Sequence, residues 1–137
     1  MAETIFEFFD RVTDRAEAKP STEPSYNRYG DCIHYHWRQD EFYAERVDDK
    51  LTVYRAIATE DPVGCQIKGV SALVKMLGTF GISVKGQDGT PMAIFIFASR
   101  AAADSVEQSS LEREKMYRYV LEQAGKAKVE LEQMAEI

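Results

Sequence analysis

The first part of the chain has apolar residues at helical spacing. They recur three and four positions apart, which puts them on one face of an amphipathic helix over residues 4–18. Thr4, with Glu7 three positions later, forms a capping box at its start, and Lys19-Pro20 ends it because the residue before proline avoids helical geometry. Residues 20–30 are predicted to be a linker. The apolar stripe of this helix consists of Ile5, Phe8, Phe9, Val12 and Ala16.

The pattern changes to strict alternation after residue 30. In Cys32–Arg38, Ile33, Tyr35 and Trp37 share one face, while Cys32, His34 and His36 share the other. Three more alternating segments follow, separated by short polar turns, and this spacing predicts an antiparallel meander. The predicted strands are Cys32–Arg38, Phe42–Val47, Leu51–Ile57 and Val63–Val70.

A short helix is predicted next, over Ala72–Leu77, with Ser71 as its N-cap and Gly78 at its end. Gly81–Lys85 and Met92–Ala98 then resemble the two strands of a hairpin. Because Met92–Ala98 is apolar at every position, we expect a central strand covered on both faces.

The last predicted element is a long helix over about 105–136. Ser105 and Ser109 are both followed three residues later by Gln or Glu, so either one is a candidate N-cap. Its apolar positions form a coiled-coil-like stripe. If this stripe does not pack on the sheet of the same chain, it is predicted to pair with another chain. The stripe consists of Tyr117, Val120, Ala124, Ala127, Leu131 and Met134.

These elements predict an α+β fold in one domain, residues 1–137. It has an N-terminal helix, a mostly antiparallel sheet of about six strands within residues 31–98, a short inserted helix and a long C-terminal helix. The Phe-rich face of the N-terminal helix is either a cover for one face of the sheet or an interface. The length of 137 residues and the 45% hydrophobic content are sufficient for one hydrophobic core.

Charge and composition exclude several classes of protein. With 17 Lys and Arg against 23 Asp and Glu, the net charge is -6, which argues against general nucleic-acid binding. No stretch reaches the roughly 18 apolar residues of a membrane span, and the acidic start of the chain is unlike a secretory signal. Two cysteines are too few for a disulfide scaffold, so we expect a reducing cytoplasm.

One segment resembles a known family. Asp31-Cys32-Ile33-His34-Tyr35, Glu45-Arg46-Val47-Asp48-Asp49 and Val63-Gly64-Cys65-Gln66-Ile67 are similar to the strands and turns of a small bacterial β-meander domain family of unknown function. The resemblance covers Tyr29 to Ser71. It implies a strand meander and no activity. His34 replaces what is more often an aromatic residue in that family, and His36 is not part of its pattern.

The sharpest candidate for chemistry is Cys32-x-His34-x-His36. Alternate residues of a strand point to the same face, and Cys and His are both zinc ligands, so the three are a candidate zinc site. Further ligands would come from Asp31, Asp40 or Glu45. The alternative is that the two histidines are ordinary residues of a solvated sheet face, with Cys32 packed beneath a helix.

Catalytic groups are otherwise scarce. Cys65 shares its face with core residues, and Cys32 with His34 as its base lacks an evident group to orient the imidazole. Asp48 and Asp49 are explained by a hairpin turn. We therefore predict no catalytic residues and lean against an enzyme.

The leading hypothesis is a non-enzymatic interaction or adaptor module that self-associates or binds a protein partner through its amphipathic helices. One alternative is a zinc-type metal protein using Cys32, His34 and His36, with a hydrolase-like or sensing role. A second alternative is a small-molecule-binding domain with a pocket between sheet and helices, for which the sequence has no ligand signature.

Overall fold

An antiparallel sheet with helices on one of its faces makes up the part of the chain that the structure describes. The computed structural model describes residues 23–82, 84 and 89–129, and the predicted N-terminal helix lies outside them. The sheet strands are β1 (Ser25–Asn27), β2 (Cys32–His36), β3 (Phe42–Arg46), β4 (Leu51–Ala56) and β5 (Pro62–Lys68). The other elements are α1 (Val70–Thr79), β6 (Thr90–Pro91), α2 (Met92–Ala102), α3 (Ser110–Ala124) and β7 (Lys128–Val129). The predicted α+β class is confirmed.

The strand order is β1-β2-β5-β4-β3, and each neighbouring pair is antiparallel. The prediction of a simple meander is therefore wrong in one respect, because β2 pairs with β5 and not with β3. Residues 37–41 cross the ends of β5 and β4 to reach the far edge. The predicted linker also contains a strand, since β1 pairs with β2 through Tyr26 opposite Ile33.

The core lies between the sheet and the helices. The sheet contributes Ile33, Val53, Cys65 and Ile67, which alternate along their strands and are fully buried. The helices contribute apolar side chains spaced three and four apart, so one face of each helix packs on the sheet. The helical core residues are Val70, Leu73 and Leu77 of α1, Met92, Phe95, Ile96 and Ala98 of α2, and Met116, Tyr117, Val120 and Ala124 of α3.

The predicted central strand Met92–Ala98 is a helix. Met92, Phe95, Ile96 and Ser99 are buried while Phe97 is exposed, which is helical spacing and not alternation. The backbone N–H groups of Met92 and Ala93 donate to the carbonyls of Ala127 and Gly125, so a distant loop satisfies the start of α2. The remaining strands are a five-stranded sheet and the separate two-stranded pair β6–β7.

The C-terminal helix is shorter than predicted. It begins after Ser109, whose side chain accepts a hydrogen bond from the Glu112 N–H, and it ends at Ala124. Gly125 follows at its C-terminal end, and the chain then turns back so that β7 pairs with β6. Residues 130–137, including Leu131 and Met134, lie outside the described residues.

The inserted helix is longer than predicted and is capped differently. Gly69, in the left-handed conformation at φ 67°, precedes α1, and Asp31 on the β1–β2 connection supplies the cap. The Asp31 carboxylate accepts from the backbone N–H and the hydroxyl of Ser71 and from the Tyr26 hydroxyl. Ser71 is thus a donor to the cap and not the cap itself.

Candidate functional site

The predicted metal ligands lie on the outer face of the sheet, which is the face opposite the helices. We use this name for the surface formed by Cys32, His34 and His36 of β2, Phe42 and Ala44 of β3, Thr52, Tyr54 and Ala56 of β4, and Val63, Gly64 and Gln66 of β5. Cys65 lies on the opposite face, in the core, and both cysteines are free thiols. The two sulfurs therefore cannot bridge, as the alternation predicts.

A chain of hydrogen bonds joins Cys32, His34 and Tyr54. The Cys32 Sγ lies 3.1 Å from His34 Nε2, and His34 Nδ1 lies 3.2 Å from the Tyr54 hydroxyl. Burial lowers the pKa of His34 and raises the pKa of Tyr54 to about 12, so a neutral imidazole and a protonated phenol face each other. Tyr54 is the orienting group for His34 that the sequence did not reveal.

His36 takes part in a different cluster. Its ring stacks on Tyr54 with centroids 4.8 Å apart and an interplanar angle of 5°, and it also contacts the Phe42 ring at 4.8 Å. The His36–Tyr54 contact is possible because the residue between them across the sheet, Gly64, has no side chain. His36 is thus held by aromatic contacts and not by Cys32 or His34.

The further candidate ligands have other partners. Asp31 caps α1, Asp40 pairs with Arg38, and Glu45 lies 3.2 Å from Arg55 Nε and accepts from Gln108. The described part of the chain contains no group of three or more His, Cys, Asp and Glu side chains placed to hold a metal ion. The structure therefore joins Cys32 to His34 by a hydrogen bond, whereas His36, Asp31, Asp40 and Glu45 each have other contacts.

Both histidines make stability depend on pH. Burial lowers the pKa of each imidazole, and His34 lowers that of His36 further by repulsion. The unfolded chain, with histidine near its ordinary pKa of about 6.5, then binds protons first as pH falls, so the free energy of unfolding decreases below about pH 6.5. We expect His36→Phe, which keeps the ring contacts, to reduce this decrease, as measured by urea unfolding at about pH 7, 6 and 5. Parallel curves for wild type and variant would contradict the assignment.

The predicted helical stripe is mostly internal. Tyr117, Val120 and Ala124 are buried in the core between α3 and the sheet, and Ala127 is half-buried in the turn after α3. These buried side chains offer little surface to a second chain. An interface on α3 must therefore use the residues that flank the buried stripe.

Such residues line a groove between α2 and α3. Its apolar lining residues are Ile96, Phe97, Tyr117 and Leu121, and its volume is about 210 Å³. Phe97 is 57% exposed although it lies in the most apolar helix of the described chain. We call this surface the α2–α3 groove; its charged lining residues are Arg100, Glu114 and Arg118.

The sequence signal for this groove was present but misread. With Met92–Ala98 treated as a strand, Phe97 falls on a covered face, whereas at helical spacing it points away from Met92 and Phe95. Arg100 then lies one turn from Phe97, where its side chain pairs with Glu114 of α3 at 2.8 Å.

A second cavity, of about 350 Å³, lies between β3–β4 and the start of α3. If the chain is a small-molecule-binding domain, this cavity between sheet and helix is the candidate binding pocket. Its lining includes the Arg55 guanidinium, which already donates to the Glu60 carbonyl and to Met116 Sδ. The lining residues are Glu45, Arg55, Gln108, Glu112, Lys115 and Met116.

Comparison with known proteins found no matching family model, no similar curated protein and no similar solved structure. None of the helices described here is long and apolar enough to cross a membrane.

Proposed function

We propose that this chain is a protein-interaction module and that its docking surface is the α2–α3 groove. The observation that carries the proposal is Phe97, an aromatic side chain that is 57% exposed and lines the groove. Aromatic residues surrounded by charged side chains are typical of the centre of protein interfaces.

The groove has the form of a site for an amphipathic segment. Its lining combines four apolar or aromatic side chains, contributed by both helices, with three charged ones. Arg100 pairs with Glu114, whereas Arg118 lies on the exposed side of α3. Two arginines against one glutamate favour a partner segment with apolar residues flanked by acidic ones.

The partner is either a second copy of the chain or a different protein. From the low number of cysteines, two in 137 residues, we propose that the protein works in a bacterial cytoplasm.

Replacing Phe97 with aspartate tests this function. We expect Phe97→Asp to weaken self-association or partner binding by about 30-fold, since a central aromatic contact contributes about 2 kcal/mol. Because Phe97 is exposed, the fold is retained. Sedimentation velocity over a concentration series measures self-association, and retention of proteins on the immobilised chain measures partner binding.

Phe80→Asp is the matched control. Phe80 is 74% exposed at the end of α1 and does not line the groove. Proteins retained by wild type and by Phe80→Asp but not by Phe97→Asp are groove partners. If Phe97→Asp has the same mass and retains the same proteins as wild type, the groove is not the docking surface.

A further inference from the structure

The cavity between β3–β4 and the start of α3 has groups of both charges in its lining. Two basic and two acidic side chains line it together with one amide and one thioether, and all six belong to the described part of the chain. Its volume of about 350 Å³ lies at the lower end of the range for small-molecule pockets, about 300 to 1,000 Å³. The size and the lining therefore favour a small, polar ligand.

The lining residues come from two elements whose local geometry directs them to one place. Glu45 of β3 lies opposite Val53, which is a core residue on the helix side of the sheet, so Glu45 is on that side too. Glu112, Lys115 and Met116 are three and four positions apart on the first two turns of α3, which puts them on one helix face. The cavity thus lies where the edge of the sheet meets the start of α3.

Arg55 directs one edge of its guanidinium to weak partners. Its Nη1 donates to the Glu60 carbonyl at 2.8 Å, which is an ordinary hydrogen bond. Its Nη2 donates to the Met116 Sδ at 3.1 Å, and a thioether is a weak acceptor. Its Nε lies 3.2 Å from Glu45 Oε1 but forms no hydrogen bond within the described residues. The edge formed by Nε and Nη2 therefore has no strong acceptor.

A carboxylate is the group that this edge of Arg55 binds best. A guanidinium presents parallel N–H donors in one plane, and the two oxygens of a carboxylate accept from both at once. Glu45 does not take this position, since its Oε1 accepts from Gln108 at 2.6 Å. The carboxylate of a ligand would supply the missing acceptor at Nε and a charged acceptor at Nη2 in place of the Met116 thioether.

The other charges of the lining favour a ligand that also has a positive group. Within the described residues, neither the Glu112 carboxylate nor the Lys115 ammonium group forms an ion pair. Since the lining has equal numbers of acidic and basic residues, a zwitterion leaves neither sign in excess, whereas a simple acid or amine does. We propose that this cavity binds a free α-amino acid with an apolar side chain.

Each part of such a ligand has a partner in the lining. The carboxylate lies on the Nε–Nη2 edge of Arg55 with Lys115 beside it, the ammonium group faces Glu112, and the apolar side chain packs on Met116. The cavity and the α2–α3 groove share no lining residue. We therefore expect Phe97→Asp to bind the amino acid with the wild-type Kd, so the two sites succeed or fail separately.

Met116 is a reporter inside the cavity. The chain has five methionines, so labelling their methyl groups with carbon-13 gives a simple NMR spectrum, in which Met92, fully buried in the core, reports on the overall fold. Leucine, isoleucine, valine, methionine and phenylalanine are each added to about 10 mM. We expect at least one of them to shift the Met116 signal with a Kd below about 1 mM, while the Met92 signal stays in place. If none of them shifts the Met116 signal, the proposal is wrong.

Analogues of the amino acid that binds most tightly separate its two charged groups. One analogue lacks the ammonium group and the other lacks the carboxylate; for leucine these are isocaproate and isoamylamine. We expect each analogue to bind at least tenfold more weakly than the amino acid. If the acid binds as tightly as the amino acid, the cavity is a site for simple carboxylates and the assignment to amino acids is overturned.

Arg55→Lys tests the guanidinium edge, because lysine keeps the charge and loses the parallel donors. We expect it to weaken binding of the amino acid at least tenfold. Arg46→Lys is the matched control, since Arg46 lies on β3, pairs with Glu107 and does not line the cavity. Its Kd equals that of wild type. The same Kd in Arg55→Lys as in wild type would contradict the position of the ligand's carboxylate.

Lys115→Gln decides the question if Arg55→Lys also shifts the Met92 signal, which would indicate a changed fold. Lys115 is exposed, so its replacement leaves the fold intact. We expect at least threefold weaker binding of the amino acid. Lys126→Gln, at an exposed position in the turn after α3 and outside the lining, is the control and keeps the wild-type Kd. Equal values of Kd for Lys115→Gln and Lys126→Gln would overturn the site.

Discussion

Replacing Asp48 with alanine lowers the free energy of unfolding by about 3 to 5 kcal/mol, the cost of breaking a buried ion pair by removing one partner. Asp48 is 1% exposed and lies in the β3–β4 turn. Since domains are stable by only about 5 to 15 kcal/mol, this variant is close to unfolding at room temperature. Urea unfolding followed by circular dichroism measures the loss.

The size of this effect follows from the contacts of the carboxylate. One oxygen accepts from the backbone N–H groups of Lys50 and Leu51, each at 2.8 Å. The other accepts from Arg113 Nε at 3.0 Å and from the Tyr117 hydroxyl at 2.7 Å. Burial and the Asp48 carboxylate raise the pKa of Tyr117, so its hydroxyl remains a donor. Asp48 thus joins the turn to α3.

A double-mutant cycle separates the lost contacts from the unpaired charge. If the cost comes from leaving Arg113 buried without its partner, then adding Arg113→Met to Asp48→Ala recovers part of the lost stability. Asp40→Ala, which removes a carboxylate from an exposed pair with Arg38, is the control and costs about 0 to 1 kcal/mol. Equal losses at Asp48 and Asp40 would contradict this role of Asp48.

The same residue illustrates how far sequence reasoning extends. A turn at Asp48 and Asp49 follows from local preferences, because aspartate accepts hydrogen bonds from backbone N–H groups two and three residues later. Its pairing with Arg113 and Tyr117 joins positions 65 and 69 residues away, and no local pattern encodes that contact. The sequence therefore predicted the turn and missed its role in attaching α3.

The segment Met92–Ala98 shows why the strand prediction failed there. An apolar run of this length fits a buried strand and a buried helix equally well by periodicity alone. The deciding contacts are distant, since the carbonyls of Gly125 and Ala127 accept from the first N–H groups of α2. The α2–α3 groove was missed for the same reason, because Phe97 becomes a surface residue only when the segment is helical.

On the outer face the sequence predicted the shared orientation of Cys32, His34 and His36, because alternation in a strand is local. It did not predict that His34 would contact Tyr54 or that His36 would stack on it. Those contacts depend on the strand order, which places β5 next to β2 and β4 beyond it. Gly64 of β5 lies between His36 and Tyr54, and nothing in the sequence indicated that a glycine was needed at that position.

Replacing Gly64 with alanine destabilises the fold, while the same change at Gly78 stabilises it. A Cβ at Gly64 would lie 2.7 Å from the Tyr35 carbonyl oxygen and 2.8 Å from His36 Nδ1. The carbonyl belongs to β2 and cannot move without disturbing its pairing with β5, so we expect a loss of about 1 to 3 kcal/mol. At Gly78, in α1, a Cβ meets nothing within 4 Å, and alanine adds about 0.5 to 1 kcal/mol.

The two contacts at Gly64 can be separated. His36→Ala removes the ring nitrogen but leaves the Tyr35 carbonyl in place, so it relieves only part of the loss in the Gly64→Ala background. If Gly64→Ala forces the His36 ring away from Tyr54, near-ultraviolet circular dichroism changes in this variant and not in Gly78→Ala. If the two alanine variants are equally stable in urea, the space beside Gly64 is large enough for a methyl group. The stacking of His36 on Tyr54 would then not require glycine at position 64.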